Sequence, residues 1–243
     1  MKISEVAFTA YPASIKKALD EIGTAEKLSQ VAEVLIKPNL INSSPHPVTT
    51  PVDCCEAIIQ YVKDCSSADI VIAEGCGDNV YETDELFEIH GYTDLAQRTD
   101  IELLDLNYAP LVKKQNPQCT IFPEMMLPEI AFTHFIISVP VLKAHFFSDI
   151  TGTLKNMMGF PPPKYYSGQY GSRKKAVFHQ NMHESISDLC QYIKPDLTVM
   201  DATIGLADFH LGGSHCSPPI NRIIAGFDPF EVDRCGAGHL GFD

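Results

Sequence analysis

The chain reads as an α/β protein: a mostly parallel, twisted sheet with helices on both faces, in a single domain over residues 1–243, with a small β insertion around 108–130. Three observations predict it. Apolar, strand-like runs alternate with stretches of helical apolar spacing, an order that calls for crossover connections and parallel strands. The run from Ile136 to Val141 is almost wholly apolar and reads as a buried strand. Finally, 243 residues with 45% apolar content and a mean hydropathy of -0.01 suffice to bury a substantial core.

In chain order, Val6–Tyr11 is expected as a first strand and Ala13 to about Ile22 as a helix, with Ile15, Ala18, Leu19 and Ile22 at helical spacing. Glu33–Ile41 is a second strand that opens into the polar loop N-S-S-P-H-P-V-T-T. Thr50 is expected to cap a helix whose first position is Pro51 and whose apolar face is Ala57, Ile58, Tyr61 and Val62. Ala68–Ala73 is a third strand, so the first half reads βαβαβ. Helices follow around Thr83–His90 and Thr93–Arg98, then a strand over 101–107. Periodicity weakens and prolines intrude from Leu111 to Pro128, which suggests a hairpin or an irregular insertion. The sheet resumes at His134–Val141. A Pro/Tyr/Gly-rich loop runs from Pro161 to Gly171, a helix from about His183 to Ile193, strands cover Asp196–Thr203 and Arg222–Ala225, and Pro229–Leu240 is expected to be helical.

Charge and cysteine usage exclude several classes. With 18 basic and 31 acidic residues the net charge is -13, which repels a polyphosphate, so no nucleic-acid partner is expected. The basic cluster of Arg173, Lys174 and Lys175 beside Lys164 reads as a solvated loop, although Tyr165, Tyr166 and Tyr170 nearby leave room for a substrate lid. No apolar run approaches the ~18 residues of a spanning helix and no signal-peptide pattern opens the chain, so a cytoplasmic protein without a membrane partner is expected. The 8 cysteines contain no C-x-x-C pair and no 4Fe-4S motif. They read as reduced thiols, several of them small core hydrophobes. Cys76 is the best nucleophile candidate among them, if it sits at a helix N-terminus that lowers its pKa, although a buried inert thiol is the commoner outcome. No G-x-S-x-G elbow is present, which disfavours a serine hydrolase.

Ligands of open parallel sheets gather at the carboxyl ends of strands. Those ends here carry Lys37, Asn39 and Asn42; Glu74, Gly75 and Asp78; Asp105 and Asn107; Lys143 and His145; Asp201; and Asp228. Lys143 and His145 lie two apart and share one face of an extended chain, while Lys155 follows on what reads as the next helix, with Thr151 and Met158 on its face. Lysines of this kind bind carboxylate or phosphate. Beside them His145 should have a depressed pKa and be neutral. Lys143, His145 and Lys155 are therefore the catalytic candidates, with Asn39, Glu74, Gly75, Asp78, Asn156, Asp201, Asp228 and Asp233 as ligand-binding candidates. A small anionic ligand is the expected partner, in redox-linked or metal-assisted chemistry of unspecified type, and a divalent metal is left open. Its candidate ligands are His145, His210, His215 and Cys216. His179, His183 and Glu184 match no zincin motif.

I-K-P-N-L at 36–40, H-P-V-T-T-P at 46–51, A-E-G at 73–75, V-P-V-L-K-A-H at 139–145, T-G-T-L-K-N-M-M-G at 151–159, V-M-D at 199–201 and F-D-P-F-E-V-D at 227–233 together resemble the uncharacterised DUF362 family. The resemblance places Asn39, Lys143, His145, Lys155, Asn156, Asp201, Asp228 and Asp233 on the family's motif positions. It also implies an association with 4Fe-4S ferredoxin-like modules, hence redox metabolism. A cluster would have to come from an iron-sulfur protein partner, and a non-catalytic accessory role toward such a partner is the alternative to an enzyme. The segment after Asp201, L-A-D-F-H-L-G-G-S-H-C, departs from the family's Gly-Pro-containing turn, which implies a different ligand specificity. In its sheet-end lysines and histidines the chain is also distantly similar to lactate-racemase-type enzymes.

Overall fold

A computed structural model describes residues 3–168 and 174–242. The elements in chain order are β1 (Ile3–Ala7), α1 (Tyr11–Glu21), α2 (Thr24–Leu28), β2 (Glu33–Pro38), α3 (Val52–Cys65), β3 (Asp69–Glu74), α4 (Thr83–Ile89), α5 (Tyr92–Thr99), β4 (Glu102–Asp105), β5 (Leu111–Gln115), β6 (Glu124–Pro128), β7 (Phe135–Val139), β8 (Val141–His145), β9 (Asp149–Thr151), α6 (Thr153–Asn156), α7 (Pro163–Tyr166), α8 (Met182–Tyr192), β10 (Leu197–Leu206), β11 (Arg222–Gly226) and α9 (Pro229–His239). The main sheet runs β1-β11-β10-β7-β2-β3-β4. Its centre, from β10 through β7, β2 and β3 to β4, is parallel. β5 and β6 form a separate antiparallel hairpin, the insertion expected between 108 and 130.

Helices cover both faces, as parallel strands require. The alternation along β2 shows how. Val34 and Ile36 face a core shared with Ile15 and Leu19 of α1 and Ile58 and Val62 of α3, while Leu35 faces Met157, Phe160, Phe178 and Leu189 on the other side. A smaller cluster seats α9 through Val232 on Met200 and Ile224.

Two sequence expectations are corrected here. β1 is an edge strand antiparallel to β11, not the parallel start of a βαβαβ unit, and it ends at Ala7 because Pro12 suits the first turn of a helix that begins at Tyr11. Strand direction is set by a partner more than 200 residues away, which local periodicity does not encode. Thr50 does not cap α3; Pro51 holds that position, and the Thr50 hydroxyl accepts from the Asn39 amide and donates to the Val139 carbonyl, stitching the ends of β2 and β7.

That stitch marks the place where the sheet opens. The chain steps from β2 outward to β3 and β4, then returns to the other side of β2 as β7, so the crossovers reverse direction between β2 and β7. Ligands in open α/β sheets bind at such a switch point. β7 leaves β2 at the Pro38–Val139 pair, and after Pro140 the chain continues as β8 beside β10, with a register shift between Asp201 and Leu206. β8 then turns into β9, which pairs with it antiparallel and brings Thr151 opposite Lys143.

Candidate ligand site

Lys37 stands one residue before the end of β2 with its side chain 1% exposed, and its ammonium lies 2.6 Å from Oε1 of Glu74, at the end of β3. It also donates to the Pro38 carbonyl at 2.9 Å and to Asn156 Oδ1 at 3.3 Å. Glu74 is equally committed: Oε1 accepts from the Gly75 amide and Oε2 from the Leu40 amide. Asn156, on α6, donates to the Lys37 carbonyl and to Ser138 Oγ. A Cβ at Gly159 would meet Lys37 Cε at 2.3 Å and Glu74 Oε1 at 2.4 Å, so the chain passes this ion pair only as glycine.

Around this buried pair lies a cavity of about 510 Å³ at the carboxyl ends of β2, β3 and β8. Among the described residues it is lined by Lys37, Lys143, Lys155, Lys174 and Lys175, by His145, His179 and His210, and by the carboxylates of Glu74 and Asp78. Lys37 is matched by Glu74 and Lys174 by Glu82, the latter at 2.8 Å. Lys143, Lys155 and Lys175 have no ion-pair partner among the described residues. Lys143 donates to Asn39 Oδ1 at 2.6 Å and to the Val48 carbonyl, and Lys175 donates to the carbonyls of Gly75 and Gly159. Neutral oxygens satisfy hydrogen bonds but return no charge, so these lysines are gathered without counter-charge among the described residues, in a protein whose overall charge is -13.

Burial, then the charge of Lys155, holds the Lys143 ammonium down to about 7. Burial holds Lys175 to about 7, with Glu74 partly opposing it, and Lys155 to about 8. His145 is pushed far below the usual imidazole range by burial first and then by Lys155, as the sequence pattern suggested. His210, its ring 4.0 Å from that of His145, is held down to about 3 by burial and by Lys155 and Lys143. Both rings are therefore neutral. The Phe147 amide donates to His145 Nδ1 at 3.0 Å, which places the imidazole proton on Nε2 and makes His145 a hydrogen-bond donor through that atom.

The structure thus brings Asn39, Glu74, Gly75, Asp78, Lys143, His145, Lys155, Asn156 and His210 around one cavity. It places the other candidates elsewhere. Asp201 is fully buried beneath the rim, where it accepts from Tyr11 at 2.7 Å and faces His46 at 3.3 Å. Burial raises its carboxyl, but His46 and the Thr203 amide outweigh burial and keep it low. Asp228 caps the N-terminus of α9 by accepting from the Phe230 and Glu231 amides. Asp233 lies in a second cavity of about 880 Å³ and accepts from the amides of Thr153 and Leu154, fixing the start of α6. Gly152 permits that contact, since a Cβ there would meet Asp233 Oδ1 at 2.4 Å. His215 and Cys216 do not line the cavity. The four metal candidates do not assemble: among the described residues the one trio able to share an ion is Glu5, Cys235 and His239, exposed at the β1 edge and already engaged by Arg222. Thr151 ends β9 and is not on the helix of Lys155, although it does line the cavity. Cys76 stands in a loop well before α4, and burial raises its thiol, which removes the basis for a nucleophilic role.

Lys37, Lys174, Lys175 and His179 also line the cavity, although the sequence put none of them among the site candidates: Lys37 read as a polar strand end, Lys174 and Lys175 as loop residues and His179 as part of an unmatched metal pattern. Lys37 carried a signal: a lysine inside the otherwise apolar run V-L-I-K-P-N-L is a charge that needs a buried partner. Lys174 and Lys175 read as a solvated loop, whereas they turn back onto the carboxyl end of β3 roughly a hundred residues earlier; Arg173 and Tyr170, the rest of the suggested lid, lie outside the described residues.

Fold and site define the class as an α/β domain with a cavity at a sheet switch point, lined by lysines of which three have no ion-pair partner among the described residues. The chain belongs to the DUF362 family: the model for that domain of unknown function matches residues 34–238. Among solved structures it is similar to the lactate racemase apoprotein from Thermoanaerobacterium thermosaccharolyticum, with a TM-score of 0.58 and 13% sequence identity over 96% of this chain and 55% of that one. The present chain therefore spans about half the length of that structure, and the likeness is one of fold. No curated protein matches the sequence. Among the described residues, no helix is long and apolar enough to cross a membrane.

Proposed function

We propose that this protein is an enzyme acting on a small anionic metabolite held in the cavity at the carboxyl ends of β2, β3 and β8. One observation carries the reading: Lys143, Lys155 and Lys175 line a cavity of about 510 Å³ with no carboxylate paired to any of them among the described residues. Three lysines gathered in one cavity without counter-charge are held below their ordinary range, and a bound anion would restore their charged form. The volume suits a molecule of metabolite size. The likeness in fold to a lactate racemase supports a small carboxylic acid as the ligand.

In this reading the lysines bind the carboxylate and hold negative charge that develops during reaction, which is the usual source of electrostatic catalysis. His145 contributes a neutral imidazole with its proton on Nε2, suited to donate a hydrogen bond to a carbonyl or hydroxyl oxygen of the ligand. An anion bound beside it offsets the lysine charge, raises its basicity and lets it carry a proton. Asn156 and Glu74 keep Lys37, and with it the end of β2, in place.

The test is a panel of small 2-hydroxy and 2-oxo carboxylic acids incubated with the protein in deuterated water and followed by NMR. The wild type is expected to convert, or to exchange hydrogen in, at least one acid, and H145A and K143A are expected to lose that activity while retaining the wild-type circular dichroism. Full activity in both variants would remove the assignment.

A further inference from the structure

Of the five lysines around the cavity, four have their ammonium groups occupied. Lys37 is paired with Glu74 and Lys174 with Glu82, Lys143 donates to Asn39 and Val48, and Lys175 to Gly75 and Gly159. Lys155 makes no hydrogen bond and no ion pair among the described residues, and it is half-buried. Lys155 lines both cavities, of about 510 Å³ and about 880 Å³, and so stands at the boundary between them. It is held at that boundary by a built support: α6 is anchored at its start by Asp233, through the Thr153 and Leu154 amides, and at its end by Asn156 bonded to Ser138 and the Lys37 carbonyl.

We propose that Lys155 is an imine-forming amine and that the anionic metabolite of this cavity carries a carbonyl group, with 2-oxo acids the simplest members of the class. The inference rests on the reading of the cavity as an anion site. An amine attacks a carbonyl carbon through its lone pair, which an ammonium held by two backbone carbonyls cannot offer. Burial supports the choice by holding Lys155 down to about 8, well below a solvated lysine. The neutral Nζ adds to the carbonyl carbon, forming the N–C bond as the C=O π electrons move to oxygen. A proton passes from nitrogen to that oxygen to give the carbinolamine. The hydroxyl then leaves as water, taking a proton from a neighbouring donor, and the protonated C=N bond remains; no oxidant or reductant is consumed. The Lys143 ammonium, in the same cavity and held to about 7, is the acid that supplies that proton, and solvent restores it; neutral His145, with its proton on Nε2, donates only a hydrogen bond to the departing oxygen.

The experiment treats the full chain with pyruvate and cyanoborohydride, then reads intact mass and maps the labelled peptide. The expected result is a gain of one reduced pyruvyl group located at Lys155, and no label on that peptide in a folded K155R variant. Calorimetric titrations with pyruvate and with lactate, which has the carboxylate but no carbonyl, run in parallel. Binding of both acids without an adduct at Lys155, or label spread evenly over exposed lysines, overturns the imine proposal and leaves the anion reading standing. Binding of neither acid, with no adduct, removes both.

Discussion

The ammonium of Lys37 and the carboxylate of Glu74 meet at 2.6 Å, both almost completely buried, at the neighbouring ends of β2 and β3. Removing one partner of such a pair leaves a buried charge without compensation, which destabilises by about 3–5 kcal/mol. K37M and E74L are therefore each expected to lose stability in urea denaturation by roughly that amount, while the double variant K37M/E74L loses less than the sum of the two. Additive losses would show that the two groups act independently.

The same pair restricts Gly159. G159A forces a Cβ to within 2.3 Å of Lys37 Cε, whereas a Cβ at Gly77 meets nothing within 4 Å. G159A is expected to cost about 1–3 kcal/mol, as overpacked sites do. G77A should stay within about 0.5 kcal/mol of the wild type. Paired thermal melts decide this, and equal melting temperatures would contradict the packing described.

Asp233 acts on the site through α6 rather than by touching the ligand. D233A leaves the Thr153 and Leu154 amides without their acceptor, at an expected cost of about 1–3 kcal/mol. Because those amides fix the helix that carries Lys155, the variant should also bind small carboxylates less tightly, with D233N intermediate, since an amide oxygen still accepts. Lost stability with unchanged carboxylate affinity would separate Asp233 from the site.

Anion binding should be linked to protons. Lys143 and Lys175 are held to about 7 and Lys155 to about 8, and a bound anion favours the charged ammonium. Binding therefore takes up protons near neutral pH. Affinity should be highest below about 7 and fall as pH rises through about 8. Calorimetry in buffers of differing ionisation enthalpy measures the uptake directly, and a flat affinity profile across that window would contradict it.

The ligand-free protein should show the opposite trend in stability. Lys155 falls from its ordinary 10.5 to about 8 on folding, so between those values the unfolded chain binds more protons than the native one. Where that holds, stability rises with pH. Wild-type stability relative to K155M is therefore expected to be lowest below about 8 and to increase toward 10.5. Denaturant titrations of both proteins across that range test the sign.

The strands, helices and the rim at their carboxyl ends were legible because apolar periodicity and the polar residues that interrupt it are local signals. Lys143, His145 and Asn39 stood out for that reason. What sequence could not show depends on distant partners: the antiparallel direction of β1, set by β11, and the return of Lys175 onto Gly75 and Gly159. The aspartates had the same limit. Asp201, Asp228 and Asp233 look alike after apolar runs, yet one is buried against Tyr11 and His46, one caps α9 and one fixes α6. A carboxylate's role depends on which amides and hydroxyls reach it, and those come from elsewhere in the chain.

The central claim is that Lys143, Lys155 and Lys175 await an anion. Isothermal titration of the wild type and K155M with pyruvate and lactate, at a pH just below 7 and low salt, measures this most directly. Saturable binding by the wild type that weakens at least tenfold, about 1.4 kcal/mol, in folded K155M is the result expected. Absence of binding by the wild type, or equal affinity in the two proteins, would contradict it.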